Sequence, residues 1–100
     1  MSTKFQQKVY SIIKKIPCGR VASYQSVAIK LGNKKAVRAI GQALNKNPDA
    51  PKIPCHRIVY KDGRLGGYRS GLAKKKKMLL GEGIQFDNNN RILVKYFFKS

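Results

Sequence analysis

Acidic residues are scarce in this chain of 100 residues, which has four Asp and Glu against 22 Lys and Arg and a net charge of +18. The first 48 residues contain no acidic residue. An imbalance of this size favours a polyanionic partner, and nucleic acid is a stronger candidate than a membrane surface. A merely solvated basic surface is the alternative interpretation.

Potential metal ligands are also few, because the chain has two cysteines, Cys18 and Cys55, and one histidine, His56. Three nitrogen or sulfur ligands without paired cysteine spacing do not fit a structural zinc site, so we expect no metal. The first five residues lack the basic and then apolar pattern of a secretory signal. Free thiols are therefore expected rather than a disulfide.

Long apolar runs are missing as well, and none is long enough to cross a bilayer. A chain of 100 residues can bury one modest core. These observations predict a single monomeric domain over residues 1–100 with no membrane partner. We expect it in the cytoplasm, associated with the nucleoid in a prokaryote, or in the nucleus of a eukaryote.

A first helix is predicted from the capping box formed by Thr3 and Gln6. Apolar residues then recur at helical spacing up to Pro17, which ends the helix. They are Phe5, Val9, Ile12, Ile13 and Ile16.

Two short helices joined by a tight turn are predicted over residues 23–46. Ser23 caps the first of them and Gly32 stops it, and Asn33 can cap the second, which runs to about Asn45. One face of the second helix carries hydrogen-bonding or small side chains and no acid: Lys35, Arg38, Ala39, Gln42 and Asn45. This pattern matches a helix-turn-helix, although a helical hairpin with a solvated basic face has the same shape.

The second half of the chain changes its periodicity. Residues 58–60 predict a strand, 61–63 a hairpin turn and 64–65 the start of a return strand or a loop. The glycines of residues 66–71 allow close approach to a ligand or form a flexible connector. A last helix runs from Leu72 to Gly81, and its lysine run at 74–77 is expected to face solvent or phosphate. The tail is poorly determined, with a turn at 87–90 and a candidate strand at 92–94. The predicted class is mainly α with a short β-hairpin.

Cys55 lies in the stretch Ile53-Pro54-Cys55-His56-Arg57. Pro54 fixes its own φ, so Cys55 is expected in a stiff extended or turn segment. Neighbouring His56 and Arg57 favour the reactive thiolate. Because successive side chains of an extended segment point to opposite faces, Cys55 and His56 would communicate through a water molecule or a turn. An inert core thiol is an equally weighted alternative for this stretch by itself.

Several stretches together resemble the 6-O-alkylguanine-DNA alkyltransferases. They are Phe5-Gln6-Gln7-Lys8-Val9, Ser23-Tyr24-Gln25, Gly32-Asn33, Ala36-Val37-Arg38-Ala39-Ile40-Gly41, Asn47-Pro48, Ile53-Pro54-Cys55-His56-Arg57-Ile58-Val59, Gly66-Gly67-Tyr68 and Gly81-Glu82-Gly83. The resemblance implies a winged helix-turn-helix-like domain with an active-site loop at about 53–60. It also implies irreversible, single-turnover transfer of an alkyl group from the 6-oxygen of guanine in DNA to a cysteine, with no cofactor.

By this resemblance, Cys55 is the acceptor and His56 the base that activates it through a bound water molecule. Glu82 would orient His56, which agrees with the nucleophile, base and orienter logic of a triad. Asn47 would be a hinge between the recognition helix and the active-site loop. Without the resemblance, Glu82 is a surface charge and Asn47 only ends a helix.

The resemblance further implies double-stranded DNA approached from the minor-groove side, with the damaged base flipped out of the stack. Arg38 would fill the vacated place and Tyr24 would crowd the neighbouring phosphate; their plainer roles are a phosphate contact and a core aromatic. Other expected DNA contacts are Lys35, Gln42 and Asn33. The guanine pocket would be completed by Tyr24, the backbone of Ile58, Tyr68 and Arg69.

Three points concern departures from the family pattern. Arg69-Ser70 occupies a pocket-side stretch that varies among relatives, so the resemblance does not define the accepted size of the alkyl group. The family usually carries an additional N-terminal domain, and this chain begins almost at the first helix of the C-terminal one, so no N-terminal domain is expected. Some single-domain relatives are non-catalytic lesion binders with Trp at the acceptor position, and Cys55 argues against that class. A cysteine hydrolase is a distant third interpretation.

Overall fold

The computed structural model of the chain describes residues 3–47, 52–68 and 71–98. Its elements in chain order are α1 (Lys4–Ile13), β1 (Ala22–Ser23), α2 (Tyr24–Lys30), α3 (Val37–Asn45), a 3₁₀ helix (Cys55–Arg57), β2 (Ile58–Val59), α4 (Leu72–Gly81) and a second 3₁₀ helix (Val94–Tyr96). The predicted mainly α class is confirmed.

Helix α1 begins at the predicted capping box. The Thr3 hydroxyl accepts a hydrogen bond from the Gln6 amide at 3.1 Å, and the Gln6 side chain accepts one from the Thr3 amide at 3.0 Å. The helix ends at Ile13, four residues before Pro17, and a turn brings the buried Ile16 back to the core. The Tyr10 hydroxyl donates to the Ala43 carbonyl at 2.7 Å, which ties α1 to α3.

Helices α2 and α3 form the predicted helical pair, but one of their two caps is wrong. The Ser23 hydroxyl accepts from the Ser26 amide at 2.9 Å, as an N-cap should. Helix α3 begins at Val37 and its N-cap position, Ala36, has no side-chain hydrogen bond. Asn33 instead accepts from the Lys35 amide at 3.1 Å. Its short side chain closes a local turn at residues 33–36, which competes with helix capping.

The predicted β-hairpin is replaced by a two-stranded parallel sheet. Strand β2 pairs with β1, with Ile58 opposite Ala22 and Val59 opposite Ser23. The turn after β2 does form, because the Tyr60 amide donates to the Arg64 carbonyl at 2.9 Å. Of the two alternatives for residues 64–65, the structure shows the loop and not the return strand. The sheet therefore joins the start of α2 directly to the segment that follows Cys55.

A second, smaller core lies under α4 and the tail. It contains Val21, Val59, Leu79, Ile84, Ile92 and Tyr96. The tail turn at 87–90 is confirmed. The Asp87 amide donates a hydrogen bond to the Arg91 carbonyl at 2.8 Å, which closes the chain around the turn. Residues 92–94 do not form a strand: Ile92 makes a single antiparallel bridge with Phe86, and Val94 begins a 3₁₀ helix.

Candidate active site

A tight turn presents Cys55. Pro54 has φ −81° and ψ 67°, and the Cys55 amide donates to the Ile53 carbonyl at 2.8 Å, which is the geometry of an inverse γ-turn. Cys55 then begins a 3₁₀ helix of three residues. The predicted turn is present, although its last part is helical. Cys55 is largely buried, at 5% exposure, and lines a cavity.

His56 turns away from that cavity toward Glu82. Its Nε2 atom lies 2.6 Å from the Glu82 Oε2 atom. Because a carboxylate only accepts hydrogen bonds, Nε2 carries the proton and Nδ1 holds the lone pair in the neutral ring. Nδ1 is buried and has no hydrogen-bond partner among the residues that the structure describes. The pair thus leaves one basic nitrogen of His56 available for proton transfer.

The side chain of Arg57 holds the carboxylate of Glu82. Its hydrogen bonds go to Glu82 and Ile16 and not to Cys55. Its Nε atom donates to Glu82 Oε1 at 2.9 Å and its Nη2 atom to Oε2 at 3.0 Å. The remaining Nη1 atom donates to the Ile16 carbonyl at 2.9 Å, and the Gly19 amide adds a bond of 3.3 Å to Glu82 Oε1. Arg57 Nε, Arg57 Nη2 and the Gly19 amide, together with His56 Nε2, are therefore the four donors that hold the Glu82 carboxylate in place.

The protonation states follow from burial and these contacts. Burial lowers the pKa of His56 below its ordinary value, and the contact with Glu82 opposes this only in part. For Glu82, burial works to raise the pKa, but hydrogen bonds from Arg57, His56 and Gly19 outweigh it and hold the pKa below its ordinary value. A neutral imidazole beside an ionised carboxylate is the state that can accept a proton from a thiol.

Lys75 departs from the prediction that the lysine run at 74–77 faces solvent. Its side chain is fully buried, and Nζ donates to the carbonyl oxygens of Ile58 at 2.7 Å and Gly67 at 3.2 Å, as well as to that of Leu65. Burial lowers the pKa of Lys75 to about 8, while the electrostatic interaction with Cys55 works in the opposite direction. Lys75 thus places a cation beneath the active-site segment.

Asn47 connects the end of α3 to the approach of Cys55. Its Nδ2 atom donates to the Ile53 carbonyl at 2.7 Å, and its side chain is buried. Ile53 is the residue whose carbonyl also closes the turn before Cys55. This geometry agrees with the expected hinge between recognition helix and loop, which stays a prediction.

A cavity of about 690 Å³ brings together six of the predicted site residues. They are Tyr24, Lys35, Arg38, Gln42, Cys55 and Tyr68. Burial raises the pKa of Tyr24 to about 12, with smaller effects from Tyr60 and Cys55, so its hydroxyl remains a donor at neutral pH. Burial and Cys55 also raise the pKa of Tyr68. The cavity therefore joins Arg38 and Gln42 of α3, and the lysines of the turn before it, to the cysteine.

Other predicted site residues lie elsewhere. His56, Glu82 and Asn47 lie behind Cys55, and the Ile58 side chain is fully buried in the core. Asn33 is exposed, and its side chain accepts the hydrogen bond of the local turn from the Lys35 amide. Arg69 lies outside the described residues.

Sequence reasoning missed Lys75, the pairing of Arg57 with Glu82, and Tyr60 as a cavity residue. A signal for Lys75 was present, because it stands four residues before the buried Leu79 and hence on the same helical face. The arginine pairing depends on a contact 25 residues away, which spacing does not reveal.

Across residues 3–47, 52–68 and 71–98, no helix is both long and apolar enough to cross a membrane. The same residues contain no group of three or more His, Cys, Asp or Glu side chains that could hold a metal ion.

The fold and site define a small helical domain in which α3, the basic residues at its start and a buried cysteine share one cavity. Residues 4–84 match the family described as 6-O-methylguanine DNA methyltransferase, DNA binding domain. The chain belongs to this family.

Three known proteins illustrate the similarity. A methylated-DNA–protein-cysteine methyltransferase of Kluyveromyces lactis is 50% identical over 82 residues, which cover 82% of this chain and 43% of that protein. The Mycobacterium tuberculosis OGT in complex with DNA aligns with a TM-score of 0.80 and 38% identity, over 83% of this chain and 51% of the other. S. pombe Atl1, in complex with damaged DNA containing O6-carboxymethylguanine, aligns with a TM-score of 0.83 and 26% identity over 100% of both chains. The chain thus spans less than half of the K. lactis protein.

Proposed function

We propose that this protein repairs DNA directly, by moving an alkyl group from the 6-oxygen of guanine to Cys55 in a single irreversible turnover. The observation that carries this proposal is that Cys55 lines the same cavity as Arg38 and Gln42 of α3 and Lys35 of the turn before α3. A guanine flipped out of a duplex held by α3 would enter that cavity and meet the sulfur. The partner would be double-stranded DNA approached from its minor-groove side, and the protein would act as a monomer.

The proposed chemistry needs no cofactor. His56 Nδ1 takes the thiol proton of Cys55 through a water molecule, and Glu82 stabilises the resulting imidazolium. The thiolate attacks the alkyl carbon, so a carbon–sulfur bond forms as the bond between carbon and the 6-oxygen breaks. The electron pair of that bond goes to the guanine, which then takes up one proton. Nothing in the cycle restores the thiol, so each molecule acts once.

A second candidate is non-catalytic lesion binding, and one comparison favours it. The structure of S. pombe Atl1, which is of a complex with damaged DNA, aligns with a TM-score of 0.83. The cysteine in the cavity and the His56–Glu82 pair behind it support transfer instead, because lesion binding alone requires neither an activated thiol nor its base.

The test mixes the protein with a short duplex that contains one 6-O-methylguanine and measures intact and peptide masses. We expect one methyl group per protein, on the peptide that contains Cys55. Cys55→Ala should bind the duplex without gaining mass, and Cys18→Ala is the matched control because Cys18 is the exposed cysteine. Tight binding without any mass change would support the lesion binder, and neither binding nor transfer would contradict both functions.

A further inference from the structure

Tyr60 lines the cavity of Cys55, although the motifs that carry the family resemblance stop one residue before it. It follows β2 directly and contributes a third tyrosine to the cavity, beside Tyr24 and Tyr68. Three tyrosines therefore form part of the wall of the cavity that Cys55 lines. Such a wall gives the pocket its shape, because tyrosine rings are rigid and have few rotamers.

The ring of Tyr60 is held by contacts with Tyr24 and Arg64. Its centroid lies 5.1 Å from that of Tyr24 at an interplanar angle of 45°, within the range of favourable aromatic pairs. The Arg64 guanidinium stands 5.0 Å from the centre of the Tyr60 ring. Arg64 is itself positioned by Asp62, whose Oδ2 atom accepts from Nε at 2.8 Å.

The rings of Tyr24 and Tyr60 are also packed against Gly66. A Cβ atom at Gly66 would lie 2.9 Å from the Tyr24 hydroxyl oxygen and 3.3 Å from Cε2 of Tyr60. Both rings thus lie close to the glycine backbone, which has φ +70°. Tyr24 is wedged between Gly66 and Tyr60, so a ligand that is too large for the cavity cannot push it aside without disturbing Tyr60.

We propose that Tyr60 determines which alkyl groups this protein accepts, by fixing Tyr24 as the rigid wall of the cavity beside Cys55. The proposal rests on the proposed function, and the transferred bond is the one described there. Removing the Tyr60 ring should free Tyr24 and enlarge the cavity. A methyl group would then be held less well for attack, while a longer alkyl chain would fit better.

The test compares single-turnover transfer rates from 6-O-methylguanine and 6-O-butylguanine placed in the same duplex. For Tyr60→Ala we expect the ratio of the butyl rate to the methyl rate to rise about tenfold relative to the unsubstituted protein. Tyr60→Phe keeps the ring and should leave the ratio unchanged. Phe86→Ala is the control for general loss of packing, because Phe86 is an aromatic residue of the second core with Lys76 over its ring.

If the Tyr60→Ala protein does not fold, Tyr60→Leu replaces it, and we expect the same rise in the ratio of the butyl rate to the methyl rate. Arg64→Gln, at an exposed position, removes the cation beside the ring together with its ion pair to Asp62, and should shift the ratio in the same direction by less. An unchanged ratio in Tyr60→Ala, or in Tyr60→Leu where that variant replaces it, with normal transfer by the unsubstituted protein, would overturn this inference alone. Absence of transfer from either base by the unsubstituted protein would overturn the proposed function and this inference with it.

Discussion

The Nζ atom of Lys75 donates a hydrogen bond of 2.7 Å to the carbonyl oxygen of Ile58, the residue that follows the 3₁₀ turn of Cys55. The same ammonium group donates to the carbonyls of Leu65 and Gly67. An ammonium has three N–H donors, and here each has an acceptor. One buried side chain thus joins α4, strand β2 and the glycine-rich segment around the cysteine.

Lys75→Met should destabilise the protein by about 3 kcal/mol, because hydrogen bonds to a charged group are lost and buried carbonyls are left without a donor. Methionine has nearly the same length, so the loss reflects the ammonium group rather than a cavity. Chemical denaturation measures the free energy of unfolding. Lys74→Met is the matched control at an exposed position of the same helix. Equal stability of the two variants would show that the three carbonyl contacts contribute little.

The sequence predicted local structure better than it predicted tertiary pairing. The Thr3 and Ser23 caps formed as expected, because each depends on residues within one helical turn. Asn33 failed as a cap because its side chain had a competing partner two residues away. The parallel pairing of β1 with β2 brings together segments 36 residues apart, so local spacing favoured the nearer hairpin.

The candidate site shows the same division. Cys55, its turn and its neighbour His56 are evident in sequence because they are contiguous. The approach of Glu82 to His56 was expected only from the family resemblance, since 26 residues separate them. Lys75 looked like one of four equivalent lysines, and only the packing of α4 against the active-site segment distinguishes it from the others.

Glu82→Gln should slow alkyl transfer on the order of a hundredfold while leaving duplex affinity unchanged. The amide keeps the shape of the side chain but loses the charge that would stabilise protonated His56. Single-turnover transfer from a duplex with 6-O-methylguanine measures the rate. Asp87→Asn is the control, because Asp87 is an acidic residue of the exposed tail turn. Transfer by Glu82→Gln at the unsubstituted rate would remove Glu82 from the mechanism.

The contacts of Glu82 should also make the free energy of unfolding depend on pH. The pKa of Glu82 in the folded protein lies below its ordinary value of 4.5, so the unfolded chain binds that proton more readily. The stabilisation is complete above that ordinary value and is lost as the pH falls through the folded value. His56 acts in the same direction below 6.5, because its folded pKa is also lowered.

Denaturation of the unsubstituted protein and of Glu82→Gln should therefore be compared at about pH 7 and about pH 3.5. We expect the stability advantage of the unsubstituted protein to shrink at the lower pH, because the unfolded chain then binds the Glu82 proton more readily than the folded protein does. An advantage that is equal at both values would mean that the charge of Glu82 does not stabilise the fold.

Arg38→Ala should slow transfer from a duplex but not from the free base 6-O-methylguanine, if Arg38 fills the place of the flipped guanine. Arg38 is exposed on α3 and lines the cavity mouth with Lys35, so both side chains can reach DNA. Lys35→Ala is the matched control. Loss of a phosphate contact should weaken duplex binding and reduce its salt dependence by roughly one counterion. The transfer rate at saturating protein should stay unchanged. Identical behaviour of the two variants at saturating protein would assign Arg38 to phosphate binding, because only base flipping requires a group that enters the stack.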